Sequence, residues 1–191
     1  PTLARVLDLY AIRQILVRLQ ISPHADRFVL KGGMFVGAVL GDYLRTTRDA
    51  DVLGEGHADT TAIKDIFEEI GRIPLDDDVE VRAVSTRIAR RDRDGYDGIK
   101  VKITARVAGR PARASVDIGY GDAVVPRRQS VIVPTMVAGD AVLRMPAYSI
   151  ESFLAEKTET LLSAFPQRTL IRLKDIYDVS SIASSWPGVL R

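Results

Sequence analysis

Three aspartates lie in predicted β-strands, where a carboxylate requires an explanation. Asp49 and Asp51 are separated by one residue in the segment LRTTRDADV, and Asp117 lies between apolar neighbours in ASVDIGYGD. Residues two apart in a β-strand point to the same face, so we predict Asp49 and Asp51 on one face of one strand. A carboxylate in an apolar strand is costly to bury unless it is paired or binds a cation. The pattern therefore predicts several carboxylates that meet at a cation.

A divalent cation would relieve the repulsion among these carboxylates. Hard cations such as Mg²⁺ prefer oxygen ligands. Two such ions on one carboxylate cluster are suited to phosphoryl or nucleotidyl transfer. We therefore expect Asp49, Asp51 and Asp117 to be metal ligands and catalytic residues, with Mg²⁺ or Mn²⁺ as the cofactor.

A lysine followed by two glycines precedes the first aspartate pair. Lys31, Gly32 and Gly33 follow the apolar segment RFVL and precede the helical segment GMFVGAVLGDYL. Free backbone N–H groups at a helix start bind phosphate, and glycine lets the backbone approach it closely. We expect these three residues to bind nucleotide phosphates, although a Gly-Gly pair alone is also typical of a tight turn.

Hydrophobic periodicity predicts the elements that position these residues. Helical spacing occurs in TLARVLDLYAIRQILVRLQ and DTTAIKDIFEEIG, and again in two segments after residue 148. DVEVRAVSTRIAR, GIKVKITARVAG and RPARASVDIGYGD alternate largely as strands, with a hairpin turn at Gly109. SVIVPTMV is one more strand, which its Pro134 places at an edge of the sheet. We predict an α/β (α+β) fold, with a mixed-sheet core in residues 1–145 and a C-terminal helical portion in residues 146–191.

Composition narrows the class of protein. The 191 residues are 46% hydrophobic, which is enough for one good core. There is no cysteine, which excludes disulfides, thiolate zinc sites and thiol nucleophiles. We find neither a secretion signal nor an apolar run of the roughly 20 residues that a membrane helix needs, so we expect a cytoplasmic protein.

Basic residues gather in four short segments, although the net charge is only +2. These segments are residues 87–93, 105–113, 127–128 and 168–174. Such clusters favour a polyanionic partner such as nucleic acid, whose phosphates they would contact. Ordinary solvated strand and helix faces are the alternative interpretation.

Several segments together resemble a known family. FVLKGGMF, LRTTRDADV, ASVDIGYGD, AEKTETLL and RLKDIYDV resemble the AbiEii-like toxins of type IV toxin–antitoxin systems, including MenT-type toxins, within the DNA-polymerase-β-like nucleotidyltransferases. The resemblance covers most of the chain in the same order. Members have a Gly-Gly or Gly-Ser corner, here Gly32-Gly33, and an Arg-x-(Ser/Thr)-x-Asp-aliphatic-Asp segment, here Arg45 to Asp51. This chain departs from the pattern at Ala50, which is smaller than the usual aliphatic residue.

The resemblance implies roles for further residues. In the tail it implies that Lys157 and Asp175 are catalytic, with Lys157 also at the nucleotide phosphates. Arg45 and Arg48 would neutralise charge near the site. A solvated helix lysine and a surface salt bridge remain the structural alternatives for Lys157 and Asp175.

The resemblance also implies an activity and partners. Some relatives transfer a nucleoside monophosphate from an NTP, often CTP or another pyrimidine nucleotide, to the 3′ end of tRNA and so block translation. A protein NMP-transferase and a non-catalytic nucleotide-binding regulator are the alternatives. The family implies a cognate antitoxin; if it is kinase-like, Thr46 and Thr47 beside Asp49 are candidate phosphorylation sites.

Overall fold

The computed structural model describes residues 2–41, 47–89, 98–164 and 173–185. Within these ranges the helices are α1 (Leu3–Gln20), α2 (Gly32–Leu40), α3 (Thr60–Gly71), α4 (Ile150–Ala164) and α5 (Leu173–Ser185). The strands are β1 (Phe28–Lys31), β2 (Ala50–Gly54), β3 (Val79–Ala89), β4 (Gly98–Val107), β5 (Arg110–Gly119), β6 (Gln129–Val133) and β7 (Leu143–Ala147). Among the described helices, none is both long and apolar enough to cross a membrane.

The strands form one mixed sheet in the order β3-β4-β5-β2-β1-β7-β6. β2 runs parallel to β5 and β1 runs parallel to β7, whereas the other neighbouring strands are antiparallel. The predicted mixed-sheet α/β fold with two C-terminal helices is therefore confirmed. The parallel pair β2–β5 matters most for function, because it brings Asp51 and Asp117 onto neighbouring strands.

Local sequence explains the long hairpin at one side of the sheet. β4 and β5 are joined by Ala108 and Gly109, whose φ angles are 46° and 75°. Two residues of positive φ suit the two-residue turn that matches the twist of a hairpin. The predicted hairpin at Gly109 is confirmed. The predicted edge strand is also confirmed, because β6 lies at the end of the sheet and Pro134 follows it directly.

Helix α1 supports the sheet and packs against β5 and β7. All its residues from Ala11 to Leu19 are buried, including two arginines. Arg13 donates to the carbonyl oxygen of Pro134 at 3.2 Å, and Arg18 donates to Asp77 Oδ1 at 3.0 Å. Buried charges are tolerated only when they are paired in this way. These arginines therefore tie α1 to the loops around the sheet.

Two local predictions need correction. α2 was expected to start after the glycine pair, but it begins at Gly32 itself and ends at the left-handed Gly41. β7 was not predicted, because its segment LRMPA is short and contains Pro146, which discourages a strand assignment. The predicted domain division between residues 145 and 146 falls within β7, and the division itself stays a prediction.

Candidate active site

Four charged side chains form a row across four adjacent strands. Lys31 in β1 is the register partner of Asp51 in β2, and Asp51 is the partner of Asp117 in β5. Asp117 is in turn the partner of Lys100 in β4. Register partners on neighbouring strands share one face of the sheet. The sheet therefore places two predicted metal ligands side by side, with a lysine on each flank.

Asp49 joins this row from just outside the sheet. β2 begins at Ala50, which pairs with Val116, so the prediction that both aspartates belong to one strand is wrong for Asp49. Its backbone lies in a bend, where its carbonyl oxygen accepts a hydrogen bond of 2.8 Å from Thr47 Oγ1. The Asp49 carboxylate nevertheless acts electrostatically on Asp51. The three predicted acids are therefore brought together.

Lys100 is the counter-ion of Asp117 in β5 and of Asp49, which lies just before β2. Its Nζ lies 2.7 Å from Asp117 Oδ2 and 4.0 Å from Asp49 Oδ2. The lysine thus offsets part of the repulsion between the two carboxylates. Nothing in the sequence distinguishes Lys100 from Lys102, two residues further along the same strand, and only the strand register singles it out.

Gly32 makes the close approach of α2 to the acids possible. Its φ is +62°, and a Cβ at this position would lie 2.1 Å from Asp51 Oδ2 and 2.7 Å from Asp51 Cβ. No side chain fits at such distances. The start of α2, with its free backbone N–H groups, therefore lies directly against a predicted metal ligand.

Burial and crowding perturb the protonation of Asp51. Burial, followed by the nearby Asp49 and Asp117 carboxylates, raises the pKa of Asp51 to about 6, although Lys31 and Lys157 act in the opposite direction. Perturbed pKa values of this kind concentrate at functional sites. The influence of Lys157 also shows that α4 lies within electrostatic range of the sheet acids.

The donor set of the three acids suits a hard divalent cation. All donors would be carboxylate oxygens, and Asp117 Oδ1 is buried without a hydrogen-bond partner among the described residues. In the arrangement observed, no group of three or more His, Asp or Glu side chains in the described ranges is close enough to hold a metal ion. Lys100 occupies Asp117 Oδ2 instead. A metal at these acids would therefore compete with Lys100.

Lys31 connects β1 to α4 and to the loop after β5. Its Nζ donates to Asp122 Oδ2 at 2.8 Å and to Glu156 Oε2 at 3.0 Å, and it lies 5.3 Å from the centre of the Tyr148 ring. Burial by itself lowers the pKa of Lys31, but Glu156, Tyr148 and Asp122 outweigh it, so that pKa is raised above its ordinary value. Lys31 therefore stays cationic beside the predicted phosphate site.

Asp122 and Tyr148 are further members of this network that the sequence did not reveal. Tyr148 Oη donates to Asp122 Oδ2 at 2.7 Å. Burial raises the pKa of Asp122, but hydrogen bonds from Lys31 and Tyr148 outweigh it and hold that pKa below its ordinary value. Both residues are identified as members of the site by their contacts with Lys31. Lys31 is far from both in the sequence, so no local sequence pattern indicates these contacts.

The tail residues implied by the resemblance form a buried ion pair. Lys157 Nζ in α4 lies 2.8 Å from Asp175 Oδ1 in α5, and the Asp175 side chain is only 1% exposed. Asp178 is buried on the same helix face. The surface salt bridge considered for Asp175 is therefore wrong, and Lys157 is not a freely solvated helix lysine. The pair also joins α4 to α5.

We expect replacement of Lys157 to show whether this residue stabilises the fold, takes part in the reaction, or does both. Lys157→Met leaves the buried Asp175 carboxylate unpaired and should lower the free energy of unfolding by about 3 kcal/mol. The double variant Lys157→Met/Asp175→Leu should recover most of that loss, because a well-packed apolar pair replaces buried charges with little penalty. Denaturant unfolding measures both effects.

The activity of the same double variant distinguishes two roles for the pair. If Lys157 binds the nucleotide, the stable double variant should remain at least a hundredfold less active, as when a preorganised charge is removed. Recovery of activity together with stability would show that the pair only holds α4 against α5. An unchanged unfolding free energy in Lys157→Met would contradict the burial argument.

The segment before Asp49 is described only from residue 47. Arg48 is exposed and Thr47 is half-buried. The predicted nucleotide-binding residue Arg45 and the predicted phosphorylation site Thr46 lie outside the described residues. Thr47 is hydrogen-bonded to Asp49, so it lies beside the acids as the sequence suggested.

Comparison with known proteins agrees with this geometry. The family described as "Nucleotidyl transferase AbiEii toxin, Type IV TA system" matches residues 14–190. A candidate nucleotidyltransferase from H. pylori, known from its crystal structure, aligns over 99% of this chain and 72% of its own, with a TM-score of 0.60 and 15% identity. The solution structure of the antibiotic-resistance factor ANT(2″)-Ia aligns over 95% of this chain and 85% of its own, with a TM-score of 0.50 and 14% identity.

These comparisons carry different weight. At 14–15% identity the two structures show a shared fold and nothing finer. Comparison with curated proteins gives no match. The family match is the stronger finding, because it spans nearly the whole chain, including the acids on β2 and β5 and the tail pair of α4 and α5. The chain therefore belongs to the AbiEii family of nucleotidyltransferase toxins.

Proposed function

We propose that this chain transfers a nucleoside monophosphate from an NTP to the 3′ end of tRNA and thereby inhibits translation in the cytoplasm. CTP or another pyrimidine nucleotide is the proposed donor. The observation that supports the proposal most is the register pairing of Asp51 with Asp117, with Asp49 acting electrostatically on Asp51 and the start of α2 at Gly32 lying directly against Asp51. The family match supports nucleotidyl transfer in general, and the tRNA acceptor is the finer part of the proposal.

Asp49, Asp51 and Asp117 would hold Mg²⁺ or Mn²⁺ in this proposal. The bound ion would neutralise the triphosphate and polarise its phosphoryl oxygens. Carboxylate oxygens fit such an ion, and the unpartnered Asp117 Oδ1 is a donor atom ready for it.

The residues of the chain would orient the donor nucleotide. The backbone N–H groups of Gly32 and Gly33 at the start of α2 would donate hydrogen bonds to the phosphates, helped by the helix dipole. Lys157 and Lys31 would supply positive charge nearby, since Lys31 remains cationic. Arg48 is exposed beside Asp49 and is a further candidate for the departing pyrophosphate.

The proposed step is an in-line displacement. The acceptor hydroxyl oxygen attacks the α-phosphorus, a new oxygen–phosphorus bond forms, and the bond to the pyrophosphate oxygen breaks. Asp117 would accept the proton of the attacking hydroxyl on Oδ2, from which Lys100 would have to withdraw, because Oδ1 would bind the ion. Pyrophosphate leaves with the electron pair of the broken bond.

The direct test uses purified protein, Mg²⁺, total tRNA and each α-labelled NTP in turn. Label that enters tRNA with one nucleotide, and is lost in Asp49→Asn, would establish the reaction and identify the donor. Label on protein would instead favour a protein NMP-transferase. Nucleotide binding without any transfer would favour a non-catalytic nucleotide-binding regulator.

Metal affinity should depend on pH through Asp51. Because the pKa of Asp51 is about 6, the carboxyl is increasingly protonated below that pH, and a metal must then displace a proton. We expect the Mn²⁺ affinity to fall up to about tenfold for each pH unit below 6 and to level off above 7. Isothermal titration between pH 5 and 7.5 measures it. A flat profile would contradict the role of Asp51 as a ligand.

Control by a kinase-like antitoxin is proposed at Thr46 and Thr47. A phosphate adds about two negative charges, and Thr47 is hydrogen-bonded to Asp49. We expect Thr47→Glu to lower the transfer rate at least tenfold through repulsion of the triphosphate, whereas Thr47→Val removes the hydrogen bond without adding charge and should cost far less. Equal rates for the two variants would contradict an electrostatic effect. If Thr46→Ala/Thr47→Ala leaves antitoxin control intact, the site lies elsewhere.

A further inference from the structure

The three long strands β3, β4 and β5 have one open face. Along β4, buried residues alternate strictly with exposed or half-buried ones from Ile99 onward. The buried side faces the helices: α1 packs along β5 and α3 along β3, where Thr86 Oγ1 donates to the carbonyl oxygen of Thr60 in α3. The alternate residues of all three strands therefore form a surface that these two helices do not cover.

The open face is strongly basic. Strand register places Arg87 opposite Lys100, Lys102 opposite Ser115, Thr104 opposite Arg113, and Arg106 opposite Pro111. We name the exposed residues Arg87, Lys102, Arg106 and Arg113 the basic face. These four belong to three different strands, so the charge extends over an area and is not confined to one strand edge.

The basic face is continuous with the candidate active site. Arg87 extends the charged row at Lys100, and Lys100 contacts Asp117. Lys102 is the next residue on the same side of β4. At about 3.4 Å per residue, the six intervals from Lys100 to Arg106 span roughly 20 Å. A molecule that lies on this surface would therefore have one end at the acids.

The basic face has few acids to neutralise it: Glu80 in β3 is the register partner of Arg106, but its carboxylate is paired with Arg82 at 2.6 Å. Among the described residues, the structure provides no carboxylate partner for the side chains of Arg87, Lys102 or Arg113. Arg106 donates to the carbonyl oxygen of Gly109 at 3.4 Å. Asp8 Oδ1 accepts a hydrogen bond from the backbone N–H of Arg113. The buried Arg18, by contrast, is paired with Asp77. The basic face is therefore charged in excess of what the fold requires.

We propose that the basic face binds the phosphate backbone of the RNA acceptor and leads its 3′ end to Asp117. This proposal rests on the proposed function and adds the surface that selects a polynucleotide. Stacked nucleotides rise by about 3.4 Å each, so roughly 20 Å accommodates about six of them. Single-stranded 3′ ends are the part of an RNA that can lie along such an open surface.

The test compares two triple variants that lose the same charge. The first, Lys102→Gln/Arg106→Gln/Arg113→Gln, removes three members of the basic face. The matched control, Arg27→Gln/Arg72→Gln/Arg144→Gln, removes three exposed arginines that lie outside β3–β5 and outside the four basic segments. Both are made in an Asp49→Asn background for binding, so that the RNA is not altered, and in the wild-type background for turnover. Thermal unfolding confirms that both variants fold.

Binding of 5′-fluorescein-labelled tRNA is measured by anisotropy at several salt concentrations. We expect the basic-face variant to bind at least tenfold more weakly and its log–log salt slope to fall by about 2, as for three lost contacts to a single strand. The control variant should keep both values within twofold. Affinity for a fluorescent NTP should be equal in all proteins. Equal tRNA affinity and salt slope in the two variants would overturn the proposal.

The same experiment separates this proposal from the proposed function. If the wild type labels tRNA and the basic-face variant does so with an unchanged KM, the surface is wrong and the function stands. If the basic-face variant loses tRNA affinity but the wild type transfers no nucleotide, the surface is right and the function is wrong. A wild type that neither binds nor labels tRNA would overturn both.

Discussion

Replacing Asp51 by asparagine is expected to remove activity and to stabilise the metal-free protein at the same time. Asp51 is the acid whose pKa is raised to about 6 by burial and by the Asp49 and Asp117 carboxylates. A raised carboxyl pKa means that this group contributes stability below about pH 4, which is lost as the pH rises through 6. Above pH 7 the ionised carboxylate therefore destabilises the fold.

The expected sizes follow from these charges. A pKa raised by about two units corresponds to about 3 kcal/mol, so Asp51→Asn should unfold at higher denaturant concentration at pH 8 without metal. Nucleotidyl transfer should fall by about three orders of magnitude, because the proposed metal ligand is replaced by a neutral amide. Denaturant unfolding and label transfer measure the two effects on the same preparation.

Two control measurements test this expectation, one with a different aspartate replaced and one with added Mg²⁺. Asp65 is exposed on α3, and Asp65→Asn should change neither stability nor turnover noticeably. Added Mg²⁺ should stabilise the wild type but not Asp51→Asn, since ligand binding stabilises only the state that binds it. A metal-free Asp51→Asn protein that is less stable than the wild type would contradict the electrostatic account of the site.

Among the described glycines, replacing Gly32 by alanine is expected to be the most damaging change. The added Cβ would lie 2.1 Å from Asp51 Oδ2 and 2.7 Å from its Cβ, and the φ of +62° is unfavourable for alanine. Asp51 or the start of α2 must shift. We expect a loss of about 3 kcal/mol of stability and a loss of transfer activity of at least a hundredfold.

Gly41 provides the matched control for this substitution. It terminates the same helix with a φ of +66°, but a Cβ there would meet nothing within 4 Å. Gly41→Ala therefore introduces the same backbone strain without the collision and should cost only about 1 kcal/mol. The difference in unfolding free energy and in turnover between the variants isolates the contact with Asp51. Equal losses would show that backbone strain alone matters.

Part of the site could be predicted because its signals are local. The Asp-x-Asp pair and the lone Asp117 indicate a site because they are carboxylates in apolar surroundings. The glycine pair indicates the start of a helix that can bind phosphate. Lys100 could not be predicted in this way, because it alternates with apolar residues like its neighbour Lys102. Only the pairing of β4 with β5 places one lysine on Asp117 and leaves the other on the open face.

The sequence by itself determined the local elements and the types of groups available for chemistry, because periodicity, turn residues and glycines act within a few neighbouring positions. The tertiary structure alone decided which of these groups meet. The alignment of Lys31, Asp51, Asp117 and Lys100 depends on contacts between distant strands. The raised pKa of Asp51 and the pairing of Lys157 with Asp175 depend on burial and on the packing of α4 and α5, which no local pattern encodes.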